Sequence, residues 1–282
     1  MKTVSSVEEI QNLSQKLKRE GKTIGFVPTM GYLHEGHLSL LKECKAKADV
    51  TIVSIFINPA QFAPNEDFNI YPRDIERDKK LLLEHKADYL FLPDEKDIYQ
   101  EGFQSNIVVN RITKILEGEL RPEHFKGVTT IVAILFNCIN PDYAFFGQKD
   151  AQQTAVIKQM VYDLKYGIEI IECPIVREKD GLALSSRNIY LTGEERKKAL
   201  LLFKSLNETR QMIETGERDA KKIIKNIGAL FLVEKNIHLN YVSIVDEKFN
   251  VIERLEEGIW YYVVIAAKIG KTRLIDNIKI KI

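Results

Sequence analysis

The amino-acid sequence predicts an α/β protein built on a Rossmann-like, doubly wound, mostly parallel sheet, with a smaller C-terminal α+β domain. Short apolar runs alternate with helical patterns over residues 1–176, and the runs are apolar on both faces. Strands of this kind form parallel sheets that helices cover on both sides. In residues 177–282, two helical patterns precede three strand-like runs, which favours a separate α+β domain.

The elements of the first domain follow one another regularly. Ser6 and Glu9 form a capping-box pattern before apolar residues at helical spacing, which predicts a first helix. Strand-like runs follow at 23–27, 50–57, 89–92, 107–109, 143–146 and 168–172. Helical patterns separate most of them, at 36–48, 73–85, 128–139 and 150–166. Pro28 is expected to end the first strand, because proline cannot donate a ladder hydrogen bond.

The C-terminal domain begins with a second capping-box pattern. Thr192 and Glu195 open a predicted helix that reaches Thr215, and another helical pattern covers 220–234. Strand-like runs lie at 239–245, 260–267 and 273–280. Trp260 stands in an apolar strand, so it is expected to lie in the core.

Composition limits the kind of protein. The chain has 41 basic and 40 acidic side chains, and this balance argues against bulk binding of nucleic acid. Cys44, Cys138 and Cys173 show no CxxC spacing, so neither a zinc knuckle nor a disulfide framework is expected. The charged N-terminal segment is unlike a secretory signal, and no apolar run is long enough to span a bilayer. We expect a soluble cytoplasmic protein with no membrane partner.

Polar, glycine-containing segments follow the predicted strands. In an open parallel sheet, ligands bind beyond the carboxyl ends of the strands. Four such segments are therefore expected to line one crevice, at 28–37, 58–61, 147–150 and 176–188.

The segment His34-Glu35-Gly36-His37 is the most informative of the four. Its histidines are three residues apart at a strand-to-helix turn, whereas the zinc-protease motif needs them four apart on a helix. Gly31 and Gly36 allow the backbone to approach a ligand, and free N–H groups at the start of a helix favour an anion such as the phosphates of ATP. The alternative is a turn with two surface histidines.

Several motifs together resemble the pantothenate synthetase family. They are PTMGYLHEGHLSLL, FINPAQF, FGQKDAQQ, VREKDGLALSSRN and the C-terminal TRLIDN. That family belongs to the HxGH nucleotidylyltransferase superfamily. The resemblance implies a homodimeric ligase that uses ATP and Mg²⁺ to condense pantoate with β-alanine through pantoyl adenylate. No nucleic-acid partner is expected, because of the charge balance described above. Together with the change of pattern after residue 176, the resemblance predicts a nucleotide- and pantoate-binding domain at 1–176 and a lid at 177–282.

The resemblance assigns site residues by their positions in these motifs. The implied ATP-binding residues are Met30, Gly31, Tyr32, Leu33, His34, Glu35, Gly36, His37, Gly147, Gln148, Lys149, Asp150, Val176, Leu184, Ser185, Ser186 and Arg187. The implied pantoate-binding residues are Gln61, Gln153 and Asn58. The predicted catalytic residues are His37, His34, Lys149 and Arg187; the resemblance itself gives the catalytic role to His37. Tyr32 and Gln148 depart from the family pattern, which has a small residue and glutamate there. No metal ligand is assigned.

Physical chemistry agrees with an adenylation step. A carboxylate is already ionised at neutral pH, so alignment and charge neutralisation matter more than a general base. His37 is expected to act first as an electrostatic donor. The group that deprotonates β-alanine stays open.

Several assignments also stay open. The run 124–127, with Arg121 before it, is either a loop that closes over the site or a surface connection. Asp74 and Asp78 are expected to be solvated on a helix face, with a water-mediated metal contact as the alternative. A plain nucleotidylyltransferase and a nucleotide-sensing module are the competing functions.

Overall fold

The computed structural model describes all 282 residues. The chain forms two compact units, one made of Met1–Gly147 and Gln152–Pro174, the other of Gln148–Ala151 and Ile175–Ile282. The functional division into domains at residue 176 stays a prediction.

The regular elements alternate along the first unit and are followed by helices and then strands in the second. The strands are β1 (Lys2–Val4), β2 (Ile24–Thr29), β3 (Val50–Ile55), β4 (Tyr89–Phe91), β5 (Tyr143–Gly147), β6 (Glu169–Cys173), β7 (Ile237–Asp246), β8 (Trp260–Ile269) and β9 (Thr272–Lys281). The helices are α1 (Val7–Arg19), α2 (Glu35–Lys47), α3 (Ile75–Glu84), α4 (Glu95–Ile98), α5 (Glu117–Leu120), α6 (His124–Ile139), α7 (Ala151–Leu164), α8 (Gly193–Glu214) and α9 (Ala220–Leu232). None of these helices is long and apolar enough to cross a membrane.

The first unit contains a parallel sheet of six strands in the order β1-β4-β3-β2-β5-β6. All residues of β3 are buried, as a central strand covered on both faces requires. The chain leaves β2 towards β3 and β4, and later returns to the other side of β2 as β5. The strand order therefore reverses between β2 and β5, the place where such sheets bind ligands. The predicted Rossmann-like sheet is confirmed.

The second unit is a three-stranded antiparallel sheet, β7-β8-β9, against which α8 and α9 pack. The predicted capping box is present at the start of α8, where Thr192 and Glu195 each accept the other's backbone N–H. The prediction that Trp260 lies in the core is wrong, because its side chain is 41% exposed. Side chains alternate between the faces of a strand, and the next residue, Tyr261, takes the core position.

The first unit also contains one strand that the sequence did not predict, and two local predictions there are wrong. The strand β1 pairs with β4 and was not predicted. Pro28 does not end β2, since it still pairs with Ser54 of β3. The run at 107–109 is not a strand. The backbone of Ile107 instead bonds to two threonine side chains of α6, donating to Thr130 Oγ1 at 3.0 Å and accepting from Thr129 Oγ1 at 2.6 Å.

Candidate active site

The turn after β2 is held by a buried carboxylate from α3. Asp78 is 1% exposed; its Oδ2 accepts the backbone N–H of Tyr32 at 2.7 Å and its Oδ1 accepts that of Leu33 at 2.8 Å. Burial raises the pKa of Asp78, and the two hydrogen bonds oppose that shift. The expectation that Asp78 is solvated is therefore wrong. Asp74 is exposed, as expected, and caps α3.

The backbone of this turn has a left-handed conformation that L residues rarely adopt. Gly31 and Tyr32 have φ values of 81° and 50°. A Cβ on Gly31 would lie 3.1 Å from Asp78 Oδ2 and closer still to a core side chain, so glycine is required there. Arg77 adds support, because it donates to the carbonyl of Leu33 at 2.9 Å and its guanidinium lies 5.0 Å from the centre of the Tyr32 ring.

Two histidines form a reciprocal cap at the start of α2. Nδ1 of His34 accepts the N–H of Gly36 at 3.1 Å, and Nδ1 of His37 accepts the N–H of His34 at 3.3 Å. The two rings stack with their centroids 4.1 Å apart. Because Nδ1 is an acceptor in both rings, each neutral imidazole carries its hydrogen on Nε2. The pair therefore presents Nε2–H donors, which suit anionic oxygens.

The backbone N–H groups of the same segment are mostly used inside the protein. Gly31 donates to Thr29 Oγ1 at 3.2 Å, while His37 and Leu38 donate to the carbonyl of His34 at 2.8 and 3.1 Å. Two further N–H groups bind the carboxylate from α3, as described above. The expectation that the start of this helix offers a set of free N–H groups to an anion is therefore wrong.

A hydrogen-bonded group of amides follows β3. Gln61 is 8% exposed and Asn58 is 1% exposed. Asn58 Nδ2 donates to Gln61 Oε1 and to the carbonyl of Gly127, both at 3.1 Å. Tyr99 donates its hydroxyl to Asn58 Oδ1 at 2.6 Å, and Gln61 Nε2 lies 3.1 Å from the sulfur of Met30. Two of the predicted pantoate-binding residues are thus joined to one another and to the start of the predicted ATP segment.

Residues at and just before the start of α6 contact the segment that carries these amides. His124 Nδ1 donates to the carbonyl of Gln61 at 3.0 Å, and burial lowers the pKa of His124 to about 4. Arg121 forms two hydrogen bonds with the carboxylate of Glu66, at 2.6 and 2.7 Å. The run 124–127 is therefore neither a closing loop nor a surface connection, since it is the first turn of a packed helix.

Adjacent glutamines on α7 have different surroundings. Gln152 is buried; its Nε2 donates to the carbonyls of Ile112 and Ile115 at 2.8 Å, and its Oε1 accepts the N–H of Glu117 at 3.1 Å. Gln153 is partly exposed and points about 100° away around the helix. Gln152 therefore anchors α7 to the segment 112–117.

The segment 148–150 is organised by Asn277, which lies in the TRLIDN motif. Asn277 Nδ2 donates to the carbonyls of Gln148 and Lys149 at 2.9 and 3.1 Å, and Gln148 Nε2 returns a bond to Asn277 Oδ1 at 3.0 Å. The ammonium of Lys149 lies 3.9 Å from a carboxylate oxygen of Asp150. Asn277 thus fixes the backbone that carries Lys149, a role that sequence reasoning missed.

The segment 176–184 folds back on itself. Leu184 donates its N–H to the carbonyl of Val176 at 3.0 Å. Arg177 forms a bidentate salt bridge with buried Asp276, with N–O distances of 2.6 and 2.8 Å. Such a forked pair fixes both the position and the direction of the guanidinium.

The segment 185–188 contains the two serines, and its last residue, Asn188, is held by side-chain hydrogen bonds. Ser185 Oγ accepts the N–H of Arg187 at 3.3 Å. Asn188 donates to Glu178 at 3.1 Å, and Arg196 of α8 binds the same carboxylate through two bonds, at 3.1 and 2.8 Å. A chain of polar contacts therefore runs from α8 to the residues next to Arg187.

The predicted site residues fall into both compact units. The first unit contains Met30, Gly31, Tyr32, Leu33, His34, Glu35, Gly36, His37, Asn58, Gln61, Gly147 and Gln153. The second contains Gln148, Lys149, Asp150, Val176, Leu184, Ser185, Ser186 and Arg187. Among the ATP-binding candidates, Gly31, Leu33 and Ser186 are buried, Glu35 is exposed, and the others are partly buried.

The chain shows similarity to one enzyme family over nearly its whole length. A family model described as pantoate-beta-alanine ligase matches residues 2–279. The pantothenate synthetase of Caldicellulosiruptor saccharolyticus is 52% identical, with 100% of both chains covered. That of Acetivibrio thermocellus is 50% identical, also with 100% of both chains covered.

Solved structures agree with the sequence comparison. The pantothenate synthetase of Thermus thermophilus superposes with a TM-score of 0.93 at 40% identity, and 100% of both chains is covered. The pantoate-beta-alanine ligase of Francisella tularensis, solved with beta-gamma ATP and beta-alanine, gives a TM-score of 0.76 at 35% identity, with 99% of this chain and 97% of that chain covered. The chain described here therefore belongs to the pantoate-beta-alanine ligase family.

Proposed function

We propose that this chain is an ATP-dependent ligase that condenses pantoate with β-alanine to give pantothenate, AMP and pyrophosphate through a pantoyl-adenylate intermediate. The observation that carries the proposal is the stacked histidine pair at the start of α2, with both Nδ1 atoms capped by backbone N–H groups. Its two Nε2–H donors fit phosphate oxygens, and family membership supplies the identity of the acid and the amine.

The proposed ATP-binding residues keep the assignment that the resemblance implies. They are residues 30–37, 147–150, Val176 and 184–187. Among them, His34 and His37 donate to phosphate oxygens through Nε2. Lys149 and Arg187 neutralise the negative charge that grows on the leaving pyrophosphate, and the hydroxyls of Ser185 and Ser186 assist them.

Pantoate is proposed to bind through Gln61 and Gln153. An amide offers both donors and an acceptor, so it can serve a carboxylate and a hydroxyl without the strong ion pair that a lysine would form. Asn58 belongs to the same proposed site and acts on pantoate through its contact with Gln61.

In the first half-reaction, a carboxylate oxygen of pantoate attacks the α-phosphorus of ATP. The bond from that phosphorus to the bridging oxygen breaks, and pyrophosphate leaves with the electron pair. Because the carboxylate is already ionised, the protein has to align the two reactants and stabilise the charge on the leaving group. The Nε2–H donors of His34 and His37 suit the second task.

In the second half-reaction, the amine of β-alanine attacks the carbonyl carbon of the adenylate. An amide bond forms, the bond between the acyl carbon and the oxygen of AMP breaks, and AMP leaves. The ammonium of β-alanine must lose a proton before it can attack.

The proposed Mg²⁺ is suited to arrive on the nucleotide. The chain has no group of three or more His, Cys, Asp or Glu side chains that could hold a metal ion. Mg²⁺ commonly keeps several waters and binds phosphate oxygens with few protein ligands, so the donor set fits an ion held mainly by the triphosphate. When bound, the ion neutralises charge on the phosphates. A homodimer is proposed from the resemblance alone. A cytoplasmic location is proposed from the three cysteines, whose spacing fits neither a zinc knuckle nor a disulfide framework.

The function is tested by incubating the purified protein with ATP, Mg²⁺ and pantoate, with and without β-alanine, and by following AMP, pyrophosphate and pantothenate. Release of AMP and pantothenate only when β-alanine is present supports the ligase. Pyrophosphate release with a stable nucleotidylated product, regardless of β-alanine, would indicate a plain nucleotidylyltransferase. ATP binding without turnover would indicate a sensing module.

A further inference from the structure

We infer that Asn58 and Tyr99 are positioning residues that fix the polarity of the Gln61 side-chain amide, so that Gln61 meets a bound acid as a hydrogen-bond donor. The inference rests on the proposed binding of pantoate at Gln61. It adds the chemical property that this amide selects, which is an oxygen that accepts hydrogen bonds, as a carboxylate does.

Two backbone groups of opposite polarity determine how the Asn58 amide is oriented. The N–H of Ala60 lies 3.3 Å from one terminal atom of the side chain, and since an N–H can only donate, that atom is the oxygen. The carbonyl of Gly127 lies 3.1 Å from the other terminal atom, and since a carbonyl can only accept, that atom is the nitrogen. Neither backbone group can exchange its role, so one orientation of Asn58 is selected.

Tyr99 completes the partners of Asn58. Its hydroxyl donates to Asn58 Oδ1 at 2.6 Å, so this oxygen accepts two hydrogen bonds, while Nδ2 donates to both Gln61 and Gly127. Burial raises the pKa of Tyr99 to about 12, so the hydroxyl keeps its hydrogen at physiological pH. Asn58 is 1% exposed and all four of its hydrogen-bonding positions are used. It therefore acts through Gln61.

The orientation of the Asn58 amide determines the orientation of the Gln61 amide. The atom of Gln61 that faces Asn58 Nδ2 at 3.1 Å must be the acceptor Oε1. The Nε2 group is left on the other side, where it lies 3.1 Å from the sulfur of Met30. A thioether sulfur is a weak acceptor, so a carboxylate oxygen readily takes its place. Gln61 thus offers N–H to a ligand and keeps its oxygen turned away.

Tyr99, Asn58 and Gln61 form a hydrogen-bond relay, and the backbone around it is held in place. The carbonyl of Gln61 accepts a hydrogen bond from His124 at 3.0 Å, which fixes the backbone as well as the side chain. Gly127 of α6 packs closely against the turn Pro59–Gln61. A Cβ on Gly127 would lie 2.3 Å from the carbonyl oxygen of Ala60. Because helix and turn are in direct contact, the backbone that carries Gln61 is held in place, and the direction of its side-chain amide is set by its hydrogen bond to Asn58.

The test compares the affinities for pantoate and for its neutral primary amide, measured by calorimetry on the full chain. Asn58→Asp puts an acceptor where Nδ2 was, so Gln61 must turn its N–H towards position 58 and its oxygen towards the ligand. Gln61→Glu puts an oxygen towards the ligand directly. We expect both variants to reduce the preference for pantoate over its amide by about 10-fold or more, because the amide can donate to that oxygen.

A purely structural role would weaken both ligands equally. If Asn58→Asp leaves the preference unchanged while Gln61→Glu reduces it, the relay is disproved. Asn12→Asp, the same change on an exposed face of α1, is the matched control and should leave both affinities unaltered.

Tyr99→Phe keeps the test valid should Asn58→Asp fail to fold. Removing one hydrogen bond to Asn58 is expected to raise the Kd for pantoate about 3- to 10-fold, with a smaller effect on the amide. An unchanged Kd would overturn the role of Tyr99, and Tyr162→Phe on the exposed surface is its control. If the unmodified protein binds no pantoate, the proposed function itself fails, which is a different outcome from loss of the relay.

Discussion

Asp78 Oδ2 lies 2.7 Å from the backbone nitrogen of Tyr32, a residue with a left-handed φ of 50°. A buried carboxylate therefore holds the turn between β2 and the histidine pair in a conformation that an L residue seldom adopts. Because its other oxygen binds the next N–H, the carboxylate determines the shape of the segment that we propose to bind ATP.

Replacement of Asp78 by Asn should weaken this turn. Asparagine supplies one acceptor oxygen and would place an NH₂ group against a backbone N–H. We expect the free energy of unfolding to fall by about 1–3 kcal/mol and the KM for ATP to rise. Urea unfolding and steady-state kinetics measure the two effects. Asp163→Asn on the exposed face of α7 is the control, and unchanged values for Asp78→Asn would contradict the proposed clamp.

Replacement of Gly31 by Ala should reduce the free energy of unfolding by more than the left-handed backbone conformation alone explains. Gly31 and Gly21 have similar φ values of 81° and 71°. A Cβ on Gly31 would lie 2.9 Å from Ile55 Cγ2, whereas one on Gly21 would meet nothing within 4 Å. We expect Gly21→Ala to cost about 1 kcal/mol and Gly31→Ala about 1–3 kcal/mol more, measured by urea unfolding. Equal costs would show that crowding at the turn is unimportant.

Replacement of His37 by Ala should slow adenylate formation by about 10²-fold or more, because a preorganised donor to the phosphates is lost. The helix cap that His37 provides is also lost, so thermal unfolding must show that the protein remains folded. His238→Ala, at an exposed position on β7, is the matched control. Near-normal pyrophosphate release by a folded His37→Ala protein would show that this imidazole is not the donor.

Replacement of His124 by Gln should change the pH dependence of stability. Burial lowers the pKa of His124 from 6.5 to about 4, so the unfolded chain binds more protons between those pH values. The free energy of unfolding therefore falls as the pH is lowered through this window, by about 1–3 kcal/mol from this group, and no further below it. The glutamine side chain in His124→Gln retains a donor to Gln61 but cannot titrate. We expect a shallower pH profile, and an identical profile would disprove the contribution.

Much of the fold could be predicted from periodicity alone. The apolar runs that form β2, β3, β4 and β5 are recognisable because buried parallel strands differ clearly from their polar connections. The errors have local causes. Residues 107–109 have strand composition, but threonines of α6 satisfy the backbone of Ile107. Trp260 begins a strand on which its neighbour Tyr261 occupies the core face.

The candidate site was predictable only where its residues form short motifs. The turn at 30–37 and the amides near Asn58 stand in such motifs, but their partners lie far along the chain. Asp78 is separated from Leu33 by 45 positions, and Tyr99 from Asn58 by 41. A single sequence does not reveal that an aspartate at a helical position is buried, since aspartate on helices is usually solvated.

The central claim is that pantoate is activated as an acyl adenylate, and the fate of a carboxylate oxygen tests it most directly. The protein is incubated with ATP, Mg²⁺, β-alanine and pantoate labelled with ¹⁸O in its carboxylate, and the products are analysed by mass spectrometry. Attack on the α-phosphorus followed by amine attack on the acyl carbon transfers one ¹⁸O to AMP, and we expect AMP with one label and unlabelled pyrophosphate. Unlabelled AMP, or label in a phosphate released from the γ position, would contradict the mechanism.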